Sequence, residues 1–89
     1  MQLARVVGTV VATRKEETLI GFKFLVLEIL DAGRGNAVGS SVVAVDTLGA
    51  GVGDEVLFVT GGGARCNLKP GTPIDAAIIG IVDSVDVRS

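Results

Sequence analysis

Residues 41–60 read SVVAVDTLGAGVGDEVLFVT, and the reading of the glycine run inside them decides the fold. Ser41 to Asp46 is a short run dense in valine, the composition of a buried strand. Gly49-Ala50-Gly51-Val52-Gly53 then stands where a dinucleotide-binding chain carries its glycine fingerprint. That fingerprint works only when the glycines open a helix, whose N-terminal amides hold the pyrophosphate. Here they open onto Asp54 to Thr60, DEVLFVT, which is again β-rich. A glycine loop between two strands is a turn, with glycine where the backbone needs positive φ or close approach. The segment predicts strand, loop, strand.

Outward from it the β signal continues. Leu3 to Thr13 is rich in valine and threonine, with Gly8 in the middle marking a bulge or a close approach of another backbone. Arg14 to Glu17 is a charged turn, and a second strand is expected from Thr18 to about Leu30. Within it Phe22, Phe24, Val26 and Glu28 share one face, while Lys23, Leu25, Leu27 and Ile29 share the other. Both faces are largely apolar, which predicts a strand covered on two sides. Asp31 to Ser40, DAGRGNAVGS, has the composition of a loop. Gly61 to Arg65, GGGAR, reads as a tight turn opening a brief helix, and Asn67 to Pro73 holds both prolines and reads as loop. A last strand is expected from about Asp75 to Asp83 or beyond, with Gly80 at its centre. Five strands without an amphipathic helix fit a small all-β, OB-like barrel, since closure removes exposed edges. With no repeat, linker or low-complexity tail, residues 1–89 read as one domain.

Composition narrows the function. The chain is 48% hydrophobic and only 20% charged over 89 residues, and its mean hydropathy is +0.61. A domain this small has too little interior to hide so much apolar surface. A membrane span needs roughly 20 consecutive apolar residues. The stretches 24–30 and 74–82 are shorter and are interrupted by Glu28, and by Asp75 and Gly80. No basic, apolar-cored leader opens the chain, so it reads without a signal peptide. The surplus therefore points to oligomerisation. The net charge is −2 and the three aromatics, Phe22, Phe24 and Phe58, fall in core-like strands. Both features speak against the alternative of an OB-type single-stranded nucleic-acid module, which needs a basic groove and stacking rings. A third reading, a small-molecule-binding ring using the glycine loops, lacks a phosphate-binding motif, because Gly61 to Arg65 has no Lys-Ser/Thr ending.

Catalytic chemistry is sparse. There is no histidine, which removes the commonest general base and metal ligand. The single cysteine, Cys66, allows no intramolecular disulfide and cannot build a zinc site, and its neighbour Arg65 is the one feature that would activate it. Asp54 and Glu55 are adjacent and point to opposite sides of a strand, so they form no carboxylate pair. No catalytic residue, cofactor site or metal site is assigned.

Four ordered stretches then resemble one family. They are MQLARVVGTVVAT (1–13), VAVDTLGAGVGDEVL (43–57), GGGAR (61–65) and PIDAAIIGIVD (73–83). Together they are similar to the EutN/CcmL family of bacterial microcompartment vertex proteins, over nearly the whole chain. The resemblance implies an OB-like barrel assembled as a cyclic homopentamer at the five-fold vertices of an icosahedral shell. Hexameric shell proteins would be its partners, the bacterial cytoplasm its location, and neither nucleic acid nor membrane its target. The implied role is structural, without cofactor. A heterologous interface whose rotation closes after five copies makes a ring rather than a filament. Gly49, Ala50 and Gly51 are then candidates for a subunit contact or the axis, being small enough for backbones to approach. Asp46, Arg65, Asp75 and Asp83 are candidates for turn locking or inter-subunit hydrogen bonds. Gly61, Gly62 and Gly63 are further candidates for a subunit interface or the axial loop, and they stand where the family often has serines, which makes that turn more flexible and strips it of hydroxyls.

Overall fold

In a computed structural model, which describes residues 1–13, 15–65, 68 and 71–87, five strands close into a barrel. They are β1 (Gln2–Val10), β2 (Lys23–Leu30), β3 (Ala37–Asp46), β4 (Glu55–Thr60) and β5 (Ala76–Ile81). Around the barrel the order is β1-β2-β3-β5-β4, with β4 returning to β1. Every neighbouring pair is antiparallel except β3 and β5, which run parallel and meet at one register pair, Val45 with Ala77. This is the all-β, five-stranded barrel expected. The β3–β5 contact is its seam.

The inner face of each strand makes the core. Ala4 and Val6 from β1, Leu25 and Leu27 from β2, Ala44 from β3, Val56 and Phe58 from β4 and Ala76 and Ile78 from β5 form one buried cluster. Alanine recurs because five converging strands leave room for only a few large side chains; Phe58, 1% exposed, is the largest wholly enclosed one. A second, smaller cluster lies apart from the first. Val45, Ala64 and Ile74 are buried there, with Leu19, Phe22, Phe24, Val59, Leu68 and Ala77 packed around them. The 3₁₀ turn Gly61–Arg65 and the segment around Ile74 thus cover residues of β2, β3, β4 and β5 that are not in the main core.

Several sequence expectations shift. The register of β1 against β2 breaks between Val6 and Gly8, so a bulge is present there. β2 begins at Lys23 rather than Thr18, because a 3₁₀ turn (Glu17–Leu19) and the positive φ of Gly21 interrupt the run. Phe22 therefore lies outside the strand, and Phe22 and Phe24 belong to the second cluster rather than the main core. Covering of β2 on two sides holds at Phe24, whereas Val26 and Glu28 stay half-exposed. Residues 37–40, read as loop, belong to β3. Gly39, at φ +84, lies where the register breaks between the pairs Glu28–Ser41 and Leu30–Ala37. Glycine there marks a bulge inside a strand, not the end of one. Cys66, with Asn67 beside it, lies outside the described residues.

Candidate functional site

The candidate residues fall into two loops and one isolated position. The first loop joins β3 to β4 and is held by Asp46. That residue ends β3 with its side chain fully enclosed, and its register partner is Lys23 at the start of β2. Asp46 Oδ1 accepts the Leu48 N–H at 2.9 Å, which pins the first bend of the loop. Its Oδ2 makes an ion pair with Lys23 Nζ at 3.0 Å. The same ammonium donates to the Ala50 carbonyl. One lysine thus holds both the carboxylate at the loop's start and the backbone at its middle. Burial pushes the Asp46 carboxyl up, but the Leu48 N–H, the Lys23 bond and charge, and the Ala50 amide together outweigh it. The net effect holds it below the usual 3.8.

The loop's far half is equally tied. Gly51 N–H donates to Asp54 Oδ2 at 2.9 Å, and Gly53 N–H to the Val6 carbonyl at the β1 bulge, also at 2.9 Å. Gly49 and Gly53 hold φ of +91 and +97, which excludes ordinary side chains at both ends of the loop. Ala50 faces inward. Grouped above with Gly49 and Gly51 as a contact residue, it is 1% exposed, and its methyl belongs to the barrel core. What this loop offers outward is Leu48, Val52 and the backbone at Gly49 and Gly51. A Cβ on Gly51 would meet nothing within 4 Å in this chain. Gly51→Leu is therefore expected to leave the barrel's circular dichroism and thermal midpoint nearly unchanged while breaking or weakening the ring on native mass spectrometry. A variant as fully assembled as the parent would remove this loop from the interface.

The second loop is Gly61–Arg65 with the segment leading into β5. Gly61 N–H donates to the Asp75 carbonyl at 2.8 Å, and Arg65 Nη1 to the Ile74 carbonyl at 2.8 Å. Arg65 thus fastens the turn to the strand entrance through backbone. Gly62, Gly63 and Asp75 are exposed around it. The two loops approach each other across the barrel seam, where Thr47, Gly63, Ala64, Ala77 and Ile79 line a gap of about 100 Å³. That is below the roughly 300 Å³ at which small-molecule pockets begin. Asp83 stands apart from both loops, beyond β5, bordering a cleft with Arg34 and Glu55. Lys23 is the residue that sequence reading missed. Its position on the face shared with Leu25 and Leu27 was the available signal, because a lysine on a core face needs an anion.

Elsewhere the surface is apolar to an unusual degree. Val7, Val11, Ile20, Val38, Val43, Ile79, Ile81, Val85 and Val87 are exposed in addition to Leu48 and Val52. Among the described residues no three His, Cys, Asp or Glu side chains are grouped to hold a metal ion.

Known proteins of the same shape are specific in kind. The family described as "Ethanolamine utilisation protein EutN/carboxysome" matches residues 1–83. The carboxysome shell vertex protein CcmL of Thermosynechococcus vestitus is 48% identical over 96% of this chain and 86% of its own length. The bacterial microcompartment shell vertex protein EutN of Salmonella typhimurium is 43% identical over the same shares. In structure, the GrpN pentameric microcompartment shell protein from Rhodospirillum rubrum superposes with a TM-score of 0.90 at 44% identity, covering all of both chains.

Proposed function

The chain belongs to the EutN/CcmL family, and we propose on that premise that it forms homopentamers at the five-fold vertices of a bacterial microcompartment shell, within the bacterial cytoplasm. The observation that carries this reading is full-length agreement with a pentameric shell protein at 44% identity. The surface chemistry supports it, since a single chain exposes far more branched aliphatic side chains than a solitary soluble domain of this size needs. Burying them between subunits supplies an association energy that the small barrel interior lacks.

The role is architectural. A shell of six-fold tiles stays flat until five-fold units admit curvature, and hexameric shell proteins are the neighbours such a ring would meet. We read residues 1–89 as one unit in it. Carboxysome and ethanolamine-type relatives are similar to this chain to nearly the same degree, at 48% and 43%.

Native mass spectrometry should give a species five times the 9.0-kDa chain. Shells assembled from hexameric proteins with and without it should differ by electron microscopy, closing only when it is present. A monomer with salt-sensitive binding to oligonucleotides would overturn the reading.

A further inference from the structure

The pairing of β3 is one-sided. Along β2 it is bonded almost throughout, from Ala37 to Asp46, but its other edge meets β5 only at Val45. Among the described residues no other strand pairs with that edge over 37–43, and Val38, Ser40, Ser41 and Val43 are exposed. Beside its end runs an apolar groove of about 200 Å³, lined by Phe24, Val43, Val45, Ile74 and Ala76. An open strand edge with a flanking apolar groove is what an added strand requires: main-chain bonds for affinity and a slot for alternate side chains.

The same chain carries a segment suited to that edge. After Val82, whose N–H still bonds the Glu55 carbonyl, residues 83–87 read DSVDV and pair with no strand. Their apolar members alternate, and Val85 and Val87 are both more than half exposed. Such alternation is the pattern of a strand with one face to bury. In its own chain the segment borders a cleft of about 530 Å³ that it shares with Leu3, the loop around Arg34 and Glu55. Charge is compatible too. β3 from 37 to 45 has no charged residue, so nothing along that edge repels Asp83 or Asp86. Asp75 borders the groove as a like charge, but Arg65, fastened to the Ile74 carbonyl beside it, supplies the opposite one.

We infer that the segment 83–87 of one subunit pairs as an added strand with the open β3 edge of its neighbour, an inference that rests on the homopentamer proposed above. Donor and acceptor are different surfaces of one chain, so the contact is head-to-tail, the type that can close a ring. It also gives the exposed Val85, Val87 and Val43 an apolar destination.

Paired cysteines test this in the full chain. In a Cys66→Ala background, Val85→Cys is combined in turn with Ser40→Cys, Ser41→Cys and Val43→Cys, and the protein is mildly oxidised. At least one pair should give a non-reducing ladder of covalent multimers ending at five, absent from the single-cysteine controls. An intramolecular disulfide, or no cross-link from any pair while native mass still shows pentamer, would overturn the strand exchange and leave the pentamer standing. Loss of the pentamer from the parent chain itself would overturn the earlier reading instead. A chain ended after Asp83 should keep its barrel by circular dichroism and lose the pentamer; an intact pentamer would count against the inference.

Discussion

Lys23→Met is expected to destabilise the chain by about 3 kcal/mol at pH 7, the lower end of the cost of stripping one partner from a buried ion pair. The two partners are not equivalent. The Asp46 side chain is fully enclosed, whereas that of Lys23 is 48% exposed. Removing the lysine strands a carboxylate where water cannot reach it, and also removes the donor to the Ala50 carbonyl. Removing the charge from the other side is gentler. Asp46→Asn keeps an oxygen for the Leu48 N–H and releases Lys23 toward solvent, so it should cost only about 1 kcal/mol. The double variant should recover part of the Lys23→Met loss, because no buried charge remains.

The same pair fixes the sign of a pH effect. In the parent the Asp46 carboxyl is held below 3.8, so its contribution is present above that value and fades as pH falls through the folded-state value. Without Lys23, its hydrogen bond and its charge no longer oppose burial, so the carboxyl shifts upward from its value in the parent and the cost of the substitution is greatest at neutral pH. Denaturant melts of parent and Lys23→Met should therefore converge as pH drops from 7 toward 4. A gap that stays constant would mean that the loss is one of packing, not of charge.

Strand identity was legible wherever composition and parity agreed. SVVAVD lies wholly within β3 and DEVLFVT contains β4, and their glycine connection is a turn locked by Asp46. Composition misled where glycine serves a strand. Residues 37–40 looked like loop because they close a stretch, 31–40, that holds three glycines, Asp31 and Asn36, yet the bulge at Gly39 lets β3 continue to Ala37. Ala50 was ambiguous because a small residue between glycines suits an interface and a tight core equally well. Only closure of the barrel, which depends on contacts far apart in sequence, decides between them. The open β3 edge was illegible for the same reason. A strand's neighbours are a property of topology, and the single Val45–Ala77 pair leaves no local trace.

The phenylalanines show how far that distinction reaches into energetics. All three looked alike in the sequence, as aromatic residues in apolar strands, yet Phe58 is enclosed in the main core and Phe24 packs in the second cluster. Phe58→Ala should cost 3 to 5 kcal/mol, as a full aromatic cavity among Val6, Leu25, Leu27 and Val56 cannot collapse against five closed strands. A chain of this length holds about 4 to 13 kcal/mol in total, so the variant sits near the unfolding threshold. Phe24→Ala should cost about half as much or less, because its ring is only half-buried and its neighbours are a short turn that can settle inward. Urea melts at one fixed chain concentration separate the two, the fixed concentration being needed because assembly adds stability by mass action. Equal losses would mean that the Gly61–Arg65 turn packs as rigidly as the barrel wall. In that case the second cluster would be part of the folding core, and not a cover laid over it.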